Sequence, residues 1–189
     1  MSIIYKNNLK KCVRALKDGN VIAYPTESVF GLGCDPDNKD AVMKLLKIKK
    51  RSIDKGLIII SSNYAYLKKY VYTKEVSEKN IKKFYKFWPG NFTLLHPAKN
   101  TVPIWITGFS KLVAVRITNN VYVKSLCKNF GKAIISTSAN LHGLKPCINV
   151  KEIFRQFGNR VHILHGCVGL SKNTSTIINI VNGEYIRHE

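Results

Sequence analysis

The chain has 189 residues, 45% of them hydrophobic, which is enough for one sizeable core and too little to argue for two. Its formal net charge of +20 comes from 31 lysine and arginine residues against 11 aspartate and glutamate residues, so the surface attracts polyanions such as RNA, DNA and nucleotides. A compositional excess of lysine is the alternative explanation of this charge, because lysine is abundant along the whole chain. Every apolar run is too short to span a bilayer, which excludes a membrane-spanning protein.

Short β-rich runs alternate with helical patterns along the chain. The predicted strands are VIAY from Val21, GLIIIS from Gly56, FTLLH from Phe92, LVAVRIT from Leu112, AIIST from Ala133, VHIL from Val161 and STIINIV from Ser175. The predicted helices begin near Leu9, at Asp37 as an N-cap, near Ser77, near Val121 and near Val150. The Asn182-Gly183 pair predicts a type I′ hairpin, so the sheet is not all parallel. We therefore expect one α/β (α+β) domain over residues 1–189, with a mixed sheet flanked by helices.

The five cysteines are odd in number, form no C-x-x-C pair and have no histidine at metal-ligand spacing. This pattern favours reduced thiols over a disulfide framework or a zinc site. The N-terminal stretch MSIIYKNNLKKC lacks the uninterrupted apolar region of a secretory signal. We therefore expect a cytoplasmic protein that uses none of its side chains as metal ligands.

The stretch YPTESVFGLG, Tyr24 to Gly33, is the first of three polar clusters at predicted strand ends. Pro25 ends the strand, the next three residues supply hydroxyl and carboxylate oxygens, and two glycines let a ligand approach the backbone closely. The stretch matches neither the G-x-G-x-x-G nor the Walker pattern. It therefore indicates either a plain turn or one wall of a binding site.

The second cluster, KIKKRSIDKG from Lys47 to Gly56, places five basic residues at a helix end. Basic residues near a helix C-terminus complement the helix dipole, so a solvated helix end is one interpretation. Five of them within nine positions exceed that need and could neutralise a triphosphate, with arginine giving bidentate contacts. The pattern leaves both interpretations open.

The third cluster is STSAN, Ser136 to Asn140, which follows an apolar strand. Its hydroxyl and amide groups suit the polar edges of a nucleotide or an amino acid, while a capping turn is the alternative. A serine nucleophile needs a base and an orienting acid. No spacing identifies such a base among His96, His142, His162, His165 and His188.

Arg116 is a charged residue inside the otherwise apolar strand LVAVRIT. A partly buried guanidinium needs an anionic partner. No acidic residue lies nearby in the sequence, so the partner is either a distant structural carboxylate or the carboxylate of a ligand. We favour the ligand.

Taken together, these motifs resemble the TsaC/YrdC family of threonylcarbamoyl-AMP synthases. The matching stretches are YPTESVFGLGCDPDN, the K-x-R of Lys49 and Arg51 followed by DKGLIII, WPGNFTLLHPA, LVAVR, and STSAN-x-x-G up to Gly143. They run in order over nearly the whole chain, whose length resembles the short bacterial form. The resemblance implies a twisted open sheet of the YrdC-like fold around a basic cavity.

The resemblance also implies roles for single residues. The threonine-binding residues would be Thr26, Arg116, Ser136 and, as a weaker candidate, Ser175. The ATP-binding residues would be Lys49, Arg51, Ser138 and Asn140, of which Lys49 and Arg51 would also stabilise phosphate charge during catalysis.

The activity implied by the resemblance joins L-threonine, bicarbonate or carbon dioxide, and ATP into threonylcarbamoyl-AMP and pyrophosphate. Such a reaction needs positioning and charge stabilisation, with Mg²⁺ bound to the ATP phosphates, and no protein nucleophile. The implied partners are proteins of the TsaB, TsaD and TsaE type, which pass the group to an adenosine next to the anticodon of tRNA. Direct binding of tRNA stays open.

Two other functions compete with this one. A non-catalytic module that binds tRNA or double-stranded RNA would use the positive charge alone, but leaves Arg116 and the hydroxyl clusters without a role. A sugar-phosphate reaction of the dihydroxybutanone-phosphate synthase type needs clustered acidic metal ligands, and only Asp35 and Asp37 lie close to the first cluster. A carbamoyltransferase of hydrogenase maturation is disfavoured, because in such proteins this module belongs to a far longer chain with zinc-finger cysteines.

Overall fold

The structure, a computed structural model, describes residues 3–141, 143–171 and 174–187. The helices are α1 Ile3–Lys17, α2 Lys39–Lys49, α3 Glu78–Phe84, α4 Ile104–Thr107, α5 Val121–Phe130 and α6 Val150–Phe157. The strands are β1 Ile22–Pro25, β2 Phe30–Gly33, β3 Ile58–Ser61, β4 Phe92–Pro97, β5 Leu112–Ile117, β6 Ile134–Ser138, β7 His162–Ile163, β8 Thr176–Asn179 and β9 Tyr185–Arg187. Short 3₁₀ turns cover Ile53–Lys55, Tyr64–Tyr66, Tyr85–Phe87 and Gly158–Arg160.

The nine described strands form one sheet in the order β7-β1-β2-β6-β3-β5-β4-β8-β9. Strand β6 pairs antiparallel with both β2 and β3, and so joins the two halves of the sheet. Parallel pairs occur at β1–β7, β3–β5 and β4–β8. The sheet is therefore mixed, as the sequence predicted.

Helices cover the two faces of the sheet unequally. Helix α2 and α6 pack on one face, against residues such as Ile59, Val115 and Ile135. Helices α1 and α5 pack on the other face, against Ile60 and Ile134. Since side chains alternate along a strand, the residues two positions away from Ile60 and Ile134 share their face but lie beyond the helices. That uncovered part of the sheet is where the cavity forms.

The structure corrects three details of the predicted elements. Helix α1 begins at Ile3, not near Leu9, and α2 is capped by Asn38, whose Oδ1 accepts from Ala41 N at 3.1 Å. Asp37 is not the cap, because its carboxylate bonds to Lys69 and Tyr70 instead. The hairpin between β8 and β9 is confirmed, but its turn is not type I′. That turn needs positive φ at two residues, and Asn182 is not among the described non-glycine residues with positive φ.

Strand β2 was not among the predicted strands; it lies in the stretch that the sequence indicated to be either a plain turn or a cavity wall. Its two glycines allow it to pack closely against β1, since a Cβ on Gly33 would lie 2.4 Å from Ile135 O and 2.8 Å from Tyr24 Cε1. The ring of Tyr24 is fully buried beside Gly31 and Gly33, and its hydroxyl donates to Ile135 O at 3.2 Å. The glycines thus serve the packing of the sheet as well as the approach to the cavity. Among the described residues, no helix has the length and apolar composition needed to cross a membrane.

We expect Gly33→Ala to destabilise the fold by about 1–3 kcal/mol, because the new methyl group overpacks against rigid backbone and the Tyr24 ring. Urea unfolding would measure the loss. Asn7→Ala, at an exposed position of α1, serves as the control. Equal stability of the Gly33 variant and the wild type would contradict this account of the β1–β2–β6 packing.

Candidate active site

A cavity of about 400 Å³ lies on the face of the sheet that α1 and α5 leave open. Its floor crosses the strands through neighbouring residues: Gly31 pairs with Ser138, Ser136 with Ile58, Ile58 with Ala114, and Ala114 with Leu95. The middle of the floor is apolar, and hydroxyl groups lie on both sides of it, near β2 and near the start of β8. One continuous surface therefore offers both an apolar bed and hydrogen-bonding groups.

The cavity is basic, as the resemblance implied. Four cations line it, namely Arg51, Lys55, Arg116 and Arg187, and no acidic residue belongs to its described lining. The hydroxyl-bearing lining residues are Thr26, Ser28, Thr107, Ser110, Ser136, Thr137, Ser138, Thr174 and Ser175. Cations and neutral donors together suit an anionic, polar ligand.

Thr26 lies in the tight turn that follows β1. Its hydroxyl donates to Val29 O at 2.6 Å, and its backbone N donates to the same oxygen at 3.1 Å. These bonds hold the threonine side chain at the edge of the cavity while its hydroxyl oxygen can still accept a hydrogen bond. The PTE stretch is therefore both a turn and a cavity wall.

Arg116 projects from β5 into the cavity and is buried. Its Nη2 lies 2.8 Å from Glu27 Oε2, and its Nε donates to Gly90 O at 3.1 Å. The sequence favoured a ligand carboxylate over a structural one as the partner of Arg116, but the structure shows a structural partner, the carboxylate of Glu27. The Nη2–Oε2 contact lacks the alignment of a hydrogen bond, and neither atom has another partner among the described residues.

Two serines predicted to bind threonine lie at opposite sides of the cavity. Ser136 belongs to β6, above the buried hydroxyl of Tyr24. Ser175 precedes β8, and its hydroxyl lies 2.8 Å from Thr93 Oγ1 and 3.2 Å from Arg187 Nη2. Arg187 also donates from Nε to Ser175 O at 3.0 Å. Both serines therefore face the cavity from well-anchored backbone.

Lys49 ends α2 behind the cavity lining, where it is buried. Its amine donates to Ser138 O, to Asn140 O at 3.0 Å and to Asn140 Oδ1 at 3.3 Å. Burial and the nearby Arg51 lower the pKa of Lys49 to about 8, while the three oxygen acceptors oppose the shift by stabilising the ammonium. Lys49 thus holds together the turn that carries the predicted S-x-N residues.

Asn140 is the second residue that fixes this turn. Its Nδ2 donates to Leu141 O at 3.1 Å and to Leu144 O at 2.9 Å, and its Oδ1 accepts from Ser138 Oγ at 2.6 Å. Ser138 lines the cavity, whereas Asn140 does not. Asn140 therefore fixes the conformation of the loop through its hydrogen bonds, while Ser138 is the residue of this turn that faces the cavity.

Arg51 and Lys55 form the opposite wall. Nη2 of Arg51 donates to Lys55 O at 3.1 Å and to Gly56 O at 3.0 Å, which keeps the guanidinium beside the cavity. The turn packs against the end of α4 through glycines, since a Cβ on Gly108 would lie 2.2 Å from Asp54 O. The wall is therefore fixed by backbone contacts and not by side-chain packing alone.

The structure brings together most of the residues that the sequence predicted. Thr26, Arg51, Arg116, Ser136, Ser138 and Ser175 line the cavity, while Lys49 and Asn140 lie behind it. Three neighbours had no predicted role: Glu27, Lys55 and Arg187. Lys55 could have been found as a member of the basic cluster KIKKRSIDKG. Arg187 could have been found as the basic residue of the strand predicted after the Asn182-Gly183 hairpin.

Neither ring nitrogen of His96 has a hydrogen-bond partner among the described residues, so this histidine is not hydrogen-bonded to a nucleophile. His96 is fully buried among aromatic rings, and burial lowers its pKa to about 4. His142 and His188 lie outside the described residues. Four of the cysteines are buried and Cys167 is exposed, and burial raises the pKa of Cys12 to about 12.

The comparison with known proteins adds the family. The sequence model of the Sua5_yciO_yrdC family, described as "Telomere recombination", matches residues 14–188. The chain belongs to this family. A threonylcarbamoyl-AMP synthase of Buchnera aphidicola subsp. Schizaphis graminum is 45% identical over 184 residues, which cover 97% of either chain. One of Escherichia coli O9:H4 is 43% identical over 186 residues, covering 96% of this chain and 98% of the relative.

Solved structures of relatives share the fold. P. abyssi Sua5 complexed with L-threonine superposes with a TM-score of 0.83 at 28% identity, covering 90% of this chain and 50% of that one, so this chain spans about half its length. E. coli YciO superposes with a TM-score of 0.78 at 23% identity, covering 93% of this chain and 84% of that one. The YrdC-like fold predicted from the sequence is therefore confirmed.

We expect Lys49→Met to lower the free energy of unfolding by about 1–3 kcal/mol, because it leaves three oxygen acceptors of the S-x-N turn without their donor. Urea unfolding would measure the change, and Lys47→Met, at an exposed position of the same helix, is the matched control. If both variants were as stable as the wild type, Lys49 would not hold the turn.

Proposed function

We propose that this protein is a threonylcarbamoyl-AMP synthase, which joins L-threonine, bicarbonate or carbon dioxide, and ATP into threonylcarbamoyl-AMP and pyrophosphate. The observation that carries the proposal is a cavity with four cations and many hydroxyls on a fold whose curated relatives, 43–49% identical, are named for this reaction. The protein would thus be an enzyme of the transferase type, and more narrowly a nucleotidyltransferase. It would act as a single domain in the cytoplasm.

The threonine subsite would lie around Arg116. Its guanidinium would bind the threonine carboxylate, because charge-assisted pairs of this kind are short, strong and directional. Thr26, Ser136 and Ser175 would hydrogen-bond the remaining polar groups. The relative crystallised with L-threonine supports a threonine site in this fold.

The nucleotide would lie with its phosphates toward Arg51 and Lys55. Ser138 would contact it directly, while Lys49 and Asn140 would keep the S-x-N turn in place. Strand β5 gives the scale, because Leu112 borders this wall and Arg116 lies four residues further along the same strand, roughly 13 Å away. One cavity thus has room for two reactants side by side.

The reaction itself requires little covalent chemistry from the protein. The threonine nitrogen bonds to the carbon of carbon dioxide and loses a proton, which gives a carbamate. With bicarbonate the same N–C bond forms, a C–O bond breaks and the proton leaves with that oxygen as water. A carbamate oxygen then attacks the α-phosphorus, and the bond to the leaving pyrophosphate breaks. The cations would stabilise the negative charge on the transferred and leaving phosphates, and the cavity would hold the two reactants in line.

Magnesium would enter this site as part of its substrate, the Mg²⁺ complex of ATP. The described cavity lining supplies hydroxyl and backbone oxygens but no carboxylate, and no cluster of acidic, histidine or cysteine ligands occurs among the described residues. Mg²⁺ is commonly bound through substrate phosphates and water in such cases. We propose no protein ligand for it.

The product would pass to other proteins. Threonylcarbamoyl-AMP is a mixed anhydride, so a second enzyme must transfer its acyl group to the tRNA adenosine. Proteins of the TsaB, TsaD and TsaE type are the proposed partners, and tRNA itself is a further candidate. The rival function as a non-catalytic RNA-binding module is not favoured, because the relatives that match over nearly the full length are named as synthases.

The decisive experiment is pyrophosphate release from ATP, Mg²⁺ and bicarbonate, with and without L-threonine, and with L-serine as a control. The proposal expects release that depends on threonine. No release in any mixture, together with salt-sensitive binding of tRNA, would favour the RNA-binding module.

We expect Arg116→Ala to raise the KM for threonine by about tenfold or more, because a charge-assisted hydrogen bond contributes about 1.5–3 kcal/mol. The KM for ATP should change much less. Steady-state kinetics with either substrate varied would measure both, and Arg155→Ala, exposed on α6, controls for the loss of one positive charge. Equal increases in the two KM values would argue against a carboxylate clamp.

A further inference from the structure

Glu27 is the acidic residue in contact with a cation of the cavity, and it has no role in the proposed reaction so far. It lies in the turn between Thr26 and Ser28, both of which line the cavity, but it is not itself part of the described lining. Its side chain is 24% exposed, and its Oε2 is buried. Glu27 therefore lies beside the cavity lining, in contact with one of its cations.

The side-chain contacts of Glu27 tie the end of β5 to its turn. Oε2 lies 2.8 Å from Arg116 Nη2, and Oε1 accepts a hydrogen bond from the hydroxyl of Thr118, which directly follows β5. The hydroxyl oxygen of Thr118 also accepts a hydrogen bond from Asn120 N at 2.9 Å. The hydroxyl proton of Thr118 is therefore directed to Glu27. Thr118 is fully buried. The carboxylate is thus oriented by a buried donor before it meets the arginine.

The backbone of Glu27 is also held. Its carbonyl oxygen accepts from Ser171 N at 3.1 Å, and the neighbouring Thr26 O accepts from Gly169 N at 2.9 Å. A Cβ on Gly169 would lie 2.5 Å from Glu27 O, so the two segments are in close contact. Glu27 therefore cannot shift far without moving the turn that carries Thr26.

A buried guanidinium needs a counter-charge and a fixed direction. Gly90 O fixes the Nε side of Arg116, and Glu27 supplies the negative charge on the Nη2 side. Because Nη2 and Oε2 are close but poorly aligned, the ion pair holds the guanidinium in place while, among the described residues, Nη2 still has an N–H free to donate. An arriving carboxylate could then take well-aligned bonds from the guanidinium.

We propose that Glu27 is a positioning residue: with Thr118 behind it, it orients the Arg116 guanidinium for the carboxylate of the amino-acid substrate. This inference rests on the proposed function, since it assigns Arg116 to threonine. It predicts that the charge of Glu27 matters for threonine and much less for ATP. It also predicts that the effects of Glu27 and Arg116 are coupled.

The first test is Glu27→Gln, which keeps the size of the side chain and an oxygen for Thr118 but removes the charge. We expect the KM for threonine to rise about tenfold, with the KM for ATP within about twofold of the wild type. Thr118→Val, which removes the donor that orients Glu27, should change the same parameter in the same direction by a smaller factor. Glu78→Gln, an exposed carboxylate on α3, is the matched control.

The second test separates positioning from a purely structural role. It compares Glu27→Gln, Arg116→Lys and the double variant. The double variant should lose little more threonine affinity than Arg116→Lys alone, because a lysine at position 116 has no guanidinium for Glu27 to orient. If the fold changes of the two single variants multiplied in the double variant, the proposal would be overturned. Equal changes in the KM values for threonine and ATP would also overturn it. Thermal unfolding of each variant checks that the fold is retained.

Failure of this inference and failure of the proposed function give different results. If wild-type protein releases no pyrophosphate with threonine, the proposed function fails. If the wild type is active and Glu27→Gln keeps its KM for threonine, the function stands and the positioning role of Glu27 is wrong.

Discussion

Strand β6 is the element on which the cavity depends, because it hydrogen-bonds to β2 on one side and to β3 on the other. Its first residues are apolar and buried, and its last three carry hydroxyls. The change from apolar to polar along one strand therefore divides the sheet face into a core region under α1 and α5 and an open cavity. If β6 shifted by one residue, Ser136 and Ser138 would turn to the other face of the sheet and away from the cavity.

The glycines of β2 make that strand order possible. Gly31 and Gly33 leave room for the ring of Tyr24, which fills the space below the cavity floor. Larger residues would push β2 away from β6 and separate Thr26 from Ser136. The packing of the sheet and the geometry of the cavity edge are thus set by the same contacts.

The sequence predicted most strands, most helices and most of the cavity residues, because apolar periodicity and polar strand ends are local signals. It failed where a long-range contact decided the outcome. FGLG has low strand propensity and was not predicted as a strand, but it pairs with β1 and β6, and its glycines make room for the ring of Tyr24. Asp37 and Asn38 are both good helix caps, and contacts of Asp37 with Lys69 and Tyr70 leave the cap to Asn38.

The partner of Arg116 shows the same limit at the site. The sequence showed that a buried arginine needs an anion, but Glu27 lies on another strand end far away in the sequence, and no local pattern links the two. The position of the Lys49 side chain behind the cavity lining also could not be predicted from the sequence. The K-x-R spacing puts Lys49 and Arg51 near one another, but the fold directs the lysine into the S-x-N turn and the arginine to the cavity.

These cations are held in two physically different ways. Lys49 and Arg51 donate to neutral oxygens of the backbone and of Asn140, which fix their direction and leave their charge uncancelled. Arg116 contacts a carboxylate, which cancels much of its charge at a distance but leaves room for a better-aligned anion. In the proposed reaction, the phosphate side would then work mainly through a positive field on a highly charged substrate. The threonine side would work through the geometry of one contact, as recognition of a single carboxylate requires.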